Sequence, residues 1–173
     1  MRRPPRPSVF LVGFMAAGKS SVGRALARLS GRPFIDTDVL VSALARRTIP
    51  QLFAAEGEAG FRRREARALS RAARVPGAVV AVGGGAVTRP ANVALMRGRG
   101  KVVWLVAPLK TLARRAEADG AAARPLWGKA GALLAERRPL YRGVAHFAVL
   151  SGRGTPEAVA GRVLARLGRE GWR

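Results

Sequence analysis

Apolar positions along this chain follow two rhythms. Short unbroken apolar runs mark buried strands, and longer stretches with apolar residues every three to four positions mark amphipathic helices. Ser8-Val-Phe-Leu-Val-Gly13 is a β-branched and aromatic run that stops at glycine, which predicts a buried strand. Val22, Leu26 and Leu29 then fall at helical spacing and predict a helix from Ser20 to Leu29. Pro33-Phe-Ile-Asp36 predicts a second strand ending on a carboxylate, followed by a helix from Asp38, as its cap, to Arg46. From Ile49 to about Arg74 the pattern is helical, with interruptions expected at Gly57 and Gly60. Ala78 to Val82 is a third strand, halted by Gly83-Gly84-Gly85.

Pro90 opens a short helix, Lys101 to Val106 reads as a fourth strand, and Leu109 to Glu117 as a helix. Ala130 to Arg138 is helical, His146 to Leu150 is a weak edge strand, and Pro156 to Leu167 closes the chain as a helix with proline in its first turn. Residues 116–129 are polar and small, which suits a mobile flap. Parallel neighbouring strands need crossover connections, so short buried strands alternating with helices predict an α/β fold. The expected form is a three-layer α-β-α sandwich around a five-stranded parallel sheet. A chain of 173 residues has the length of one such domain, 1–173.

Composition narrows the partners. No apolar run approaches the ~20 residues that a bilayer-spanning helix requires, so no membrane partner is expected. The N-terminal Met1-to-Ser8 segment reads as a short lead-in. With no cysteine and a single histidine, His146, a disulfide framework, a thiolate nucleophile or a transition-metal site is not expected, which fits a cytoplasmic setting. A formal charge of +22 would ordinarily suggest nucleic acid. Here the basic residues are almost all arginine and spread along every segment, with lysine only at positions 19, 101, 110 and 129. Loose, salt-sensitive polyanion binding is expected, and no specific nucleic-acid partner.

Gly13-Phe-Met-Ala16-Ala17-Gly18-Lys19-Ser20 satisfies G-x-x-x-x-G-K-[ST] between a predicted strand and a predicted helix, the context in which such a loop cradles phosphates. Its backbone N–H groups and the helix N-terminus behind them favour an anion. Lys19 would bridge the β- and γ-phosphates of ATP, and Ser20 would ligate Mg²⁺. Gly13, Ala16, Ala17, Gly18 and Ser21 complete the candidate nucleotide loop, which Ala16-Ala17 should stiffen slightly. Asp36-Thr37-Asp38 lies at the carboxyl end of the second strand, where open α/β sheets bind ligands. A kinase needs one carboxylate to orient the attacking hydroxyl and another near the metal, and Asp38 and Asp36 are assigned those roles.

Together with Phe61-Arg62-Arg63-Arg64-Glu65, Gly83-Gly84-Gly85-Ala86-Val87, Arg124-Pro125-Leu126 and Arg138-Pro139-Leu140-Tyr141-Arg142, these motifs resemble the shikimate kinase family from about Val9 to the final helix. The resemblance implies a P-loop kinase fold with strand order 2-3-1-4-5. It implies transfer of the γ-phosphoryl group of MgATP to the 3-hydroxyl of shikimate, in the chorismate pathway, by a cytoplasmic monomer. By the same resemblance Arg62 and Arg142 bind the substrate carboxylate, Gly84 brings backbone close to the substrate, Asp38 holds the hydroxyls, and Arg124 is the lid arginine that also meets ATP. Residues 38–65 would form the acceptor module and 116–129 a lid that orders when ligands bind. Glu65 either orients Arg62 or is an ordinary helix-surface acid. Arg115 and the Arg153-to-Pro156 segment lie where the family meets adenine. The competing readings are another small-molecule kinase of the same fold, a nucleic-acid-binding NTPase, and a non-catalytic relative.

Overall fold

A computed structural model describes residues 7–119 and 126–169. Five parallel strands, β1 (Ser8–Val12), β2 (Phe34–Asp36), β3 (Val79–Ala81), β4 (Gly100–Val106) and β5 (Phe147–Leu150), form one sheet in the order β2-β3-β1-β4-β5. β1 lies between β3 and β4, with Val9 opposite both Val79 and Lys101. Helices cover both faces, so this strand is buried at every position.

The crossovers are helical: α1 (Lys19–Ser30), α2 (Thr37–Ala45), α3 (Ile49–Ala72), α4 (Pro90–Arg99), α5 (Leu109–Ala118), α6 (Ala130–Val144) and α7 (Pro156–Arg169). Val9, Phe10, Leu11, Val80, Leu26, Leu112 and Leu167 are among the side chains that close the main core. A second, smaller apolar cluster of Val41, Leu52, Phe61 and Ala68 joins α2 to α3 away from the sheet. That cluster gives the region around α2 and α3 an anchorage of its own.

Three elements differ from their sequence expectations. α2 begins at Thr37 and is capped by Asp36, whose carboxylate accepts from the N–H groups of Asp38 and Val39, so Asp38 is not the cap. In α3 only Gly57 leaves helical geometry, at φ 64°, whereas Gly60 stays helical and leaves space for the Glu56 side chain. α6 does not stop at Pro139 but runs on to Val144, because Tyr141 and Val144 bury themselves against the core. The missing proline N–H is tolerated where that packing compensates. The continuation decides which arginines of this helix face the interior.

Candidate active site

The segment from Gly13 to Gly18 wraps from the end of β1 into α1, with positive φ at Gly13, Ala16 and Gly18. Such turns aim successive N–H groups inward. The Lys19 ammonium lies back along the loop, donating to the carbonyls of Gly13 at 2.9 Å and Phe14 at 2.8 Å. The Ser20 hydroxyl donates to Asp36 Oδ2 at 2.5 Å, while Asp36 Oδ1 caps α2. Both groups are hard oxygen donors beside a phosphate-shaped loop, a donor set that fits Mg²⁺.

This loop is one wall of an open cavity of about 470 Å³ that runs from Ser20 and Asp38 to Arg115, Ser151 and Pro156. Arg115 is fixed there by donating to the Ser151 carbonyl at 2.7 Å. Around the other side of Asp38 lies a smaller cavity of about 50 Å³, walled by Arg62, Glu65, Gly84, Gly85 and Arg137 with Phe53, Phe61 and Met15 as its apolar part. Asp38 lines both cavities.

The smaller cavity is built around a buried charge. Glu65, 1% exposed, accepts from Arg62 at 2.9 Å, and Glu58 accepts from the other side of the same guanidinium at 3.0 Å. Burial pushes the Glu65 carboxyl up, the Arg62 charge and hydrogen bond pull it down, Asp38 pushes it up again, and the balance lies above the ordinary value. Arg62 moves the same way as a member of an ion pair should, since its two glutamates outweigh the cost of its burial. The glycines make room for this cluster: a side chain at Gly83 would overlap Glu65, and one at Gly85 would overlap the Arg62 guanidinium.

A phosphate-cradling loop, a second cavity with two arginines, and one aspartate common to both are the parts of a small-molecule kinase. The shikimate kinase family model matches residues 15–168. The chain belongs to the shikimate kinase family.

Shikimate kinase from Symbiobacterium thermophilum is 45% identical over 96% of this chain and 99% of that protein. The one from Halorhodospira halophila is 46% identical over 96% and 95%. Among solved structures, shikimate kinase from Acinetobacter baumannii in complex with shikimate superposes with a TM-score of 0.91 at 37% identity, covering 97% of this chain and 96% of that one. A gluconokinase from Sinorhizobium meliloti, at 24% identity and a TM-score of 0.66, shares the fold. Family and fold make this an ATP-dependent kinase of the P-loop type.

Of the residues expected at a shikimate kinase site, Ala16, Ala17, Gly18, Lys19, Ser20, Ser21, Asp36 and Asp38 line the larger cavity, and Arg62, Gly84 and again Asp38 the smaller. Arg124 lies outside the described residues, as do residues 120–125 of the expected lid. Arg142 is a correction. It is exposed and lines neither cavity, whereas Arg137, 4% exposed, lines the smaller one. Five residues along a helix rotate a side chain by about 140°, so the two cannot share a face. Arg137 stands directly before the Arg138-to-Arg142 motif, and its signal was the buried phase set by Tyr141, one turn on. Sequence reasoning also missed Thr37, whose buried hydroxyl accepts from the Gly83 N–H at 2.9 Å. Glu65 resolves to the first of its two expectations, the partner of Arg62.

Among the described residues no cluster of three or more metal-binding side chains occurs, and no helix is long and apolar enough to cross a membrane.

Proposed function

We propose that this chain transfers the γ-phosphoryl group of ATP to the 3-hydroxyl of shikimate, with Asp38 acting where donor and acceptor meet. The observation that carries the reading is the position of Asp38, on the wall of both cavities. The larger cavity carries the phosphate loop at one end and Arg115, Ser151 and Pro156 at the other, which suits a nucleoside triphosphate. The smaller offers guanidinium groups to a carboxylate and a carboxylate plus glycine backbone to hydroxyls, the complement of a carboxylated polyol.

In this reading Arg62 and Arg137 hold the shikimate carboxylate, and Glu65 keeps Arg62 pointed at it. Asp38 accepts a hydrogen bond from the attacking hydroxyl. The hydroxyl oxygen forms the new bond to γ-phosphorus as the bond from γ-phosphorus to the ADP oxygen breaks, and the hydroxyl proton passes to the Asp38 carboxylate. Lys19 turns from the loop carbonyls to the β- and γ-phosphates. Ser20 and Asp36 would hold Mg²⁺, which supplies charge neutralisation on the phosphate oxygens. Arg115 packs against the nucleotide base, and Arg124 is assigned to the lid over the transferring group. Residues 38–65 serve as the acceptor module and 116–129 as the lid. The enzyme acts in the cytoplasm as a monomer.

ADP release with MgATP and a panel of shikimate, quinate, gluconate and AMP tests this, run beside Lys19→Ala and Asp38→Asn. Turnover on shikimate alone, lost in both variants, is the expected result. Turnover on another member of the panel in place of shikimate would overturn the substrate.

A further inference from the structure

Gly83, Gly84 and Gly85, of which the last two line the smaller cavity, have no side chains with which to hold themselves, and glycine is the residue with the most conformational freedom to lose. Their backbone is pinned from outside. The Thr37 hydroxyl accepts from Gly83 N–H at 2.9 Å, and the Thr88 hydroxyl donates to the Gly85 carbonyl at 2.8 Å. The middle peptide is held by Tyr141, whose hydroxyl donates to the Gly84 carbonyl at 2.6 Å from α6, 57 residues away. Gly84 packs against the phosphate loop: a Cβ there would be in van der Waals contact with the Gly13 carbonyl oxygen at 3.4 Å and the Met15 N at 3.7 Å, and with the Tyr141 hydroxyl at 3.6 Å.

From this geometry we infer that Tyr141 is a positioning residue whose hydroxyl clamps the Gly84 peptide between the acceptor cavity and the phosphate loop, and so sets the acceptor at transfer distance from the nucleotide. This rests on the kinase reading above. Tyr141 is fully buried, and its ring stacks on Trp104 of β4 with centroids 6.0 Å apart. The ring is therefore anchored to the sheet independently of its hydroxyl. The same helix carries Arg137 one turn earlier and begins next to the described end of the lid, Leu126 to Lys129. The carboxylate-facing arginine and the side chain that holds the glycine strap thus sit one turn apart on the same helix. Burial pushes the phenol up to about 12, which keeps it a donor throughout the pH range in which kinases work.

A hydroxyl that only filled space would affect all kinetic parameters through stability. A hydroxyl that fixes the Gly84 peptide affects the acceptor and the transfer step, and leaves nucleotide binding intact. Tyr141→Phe keeps the ring and removes the clamp, together with the hydroxyl's hydrogen bond to Arg137. Loss of one hydrogen bond at the acceptor side corresponds to about a tenfold fall in kcat/KM for the acceptor, with KM for ATP within about twofold of wild type. Trp104→Phe is the control, because it disturbs the ring packing and retains the hydroxyl.

The experiment is steady-state kinetics of wild type, Tyr141→Phe and Trp104→Phe, each with a thermal melt, on shikimate or on whichever acceptor of the panel the wild type turns over. Wild-type acceptor choice reports on the substrate reading alone, and the comparison of variants reports on Tyr141. An acceptor-specific loss in Tyr141→Phe that Trp104→Phe lacks at an equal or larger fall in Tm supports the clamp. Unchanged acceptor kinetics in Tyr141→Phe, or an equal loss for ATP and acceptor that tracks Tm in both variants, would overturn it.

Discussion

The Glu65 carboxylate, 1% exposed, accepts from the Arg62 guanidinium at 2.9 Å across one turn of α3, on the wall of the smaller cavity. A buried carboxylate beside the Asp38 charge is costly, and despite Arg62 the folded state holds the Glu65 proton to a higher pH than the ordinary value. An acid raised in this way contributes stability that is complete below its unfolded value and is lost as pH rises through the folded one. Urea melts of wild type and Glu65→Gln are therefore expected to converge or cross as pH rises above the ordinary value of 4.5, because only wild type carries this slope. Parallel curves from pH 4 to 8 would contradict the coupling. In kinetics the same variant is expected to raise the acceptor KM by roughly tenfold, since Arg62 loses the partner that aims it.

Arg137 and Arg142 lie five residues apart on α6 with opposite surroundings, one buried in the acceptor cavity wall and the other in solvent. Arg137→Gln is expected to raise the acceptor KM by about 10- to 100-fold, the worth of a hydrogen bond to a charged group, and to leave KM for ATP nearly unchanged. Arg142→Gln is expected to stay within about twofold of wild type on both. Steady-state kinetics of the two variants, measured side by side, reverse the assignment if the larger effect falls on Arg142.

Ala16 takes φ 59° in the phosphate loop, a left-handed conformation that costs a side chain about 1 kcal/mol and glycine nothing. Glycine loses more chain entropy on folding, and where φ is positive the strain is the larger effect. Ala16→Gly is accordingly expected to raise Tm by about 1 to 3 °C. A calorimetric scan without nucleotide measures it, and a lowered Tm would show that loop stiffness outweighs strain at this position.

Tyr141 is the one tyrosine in the chain, so absorbance near 295 nm reports its ionisation without interference from others. Desolvation raises it from 10.0 to about 12, with Arg137 pulling the other way. The native protein is expected to titrate well above the urea-unfolded one. Stability present below pH 10 is expected to be lost as pH climbs toward 12, by roughly 3 kcal/mol. A native titration at the unfolded value would mean that the hydroxyl is open to water.

The local content of the sequence carried far. The phosphate loop was legible because its chemistry is contiguous, running from Gly13 to Ser20 between a strand and a helix. All five strands lie within one residue of their expected bounds because the strands of a parallel sheet covered by helices read as short, mostly apolar runs. Asp36 and Asp38 were visible as a pair at a strand end, but their division of labour was not. Which carboxylate caps α2 depends on a single turn of backbone, and the cap fell to Asp36.

What the sequence by itself determined is the order of strands and helices, the nucleotide loop and the family, all encoded in runs of neighbouring residues. What only the tertiary structure decided is which charges of an arginine-rich chain are withdrawn from water. Arg137 and Arg142 look alike in a line of residues, and so do Glu65 and any acid of a helix surface. Their roles separate when α6 passes Pro139 unbroken and Tyr141 turns its hydroxyl to Gly84, because rotation about a helix axis and the packing of distant segments set burial.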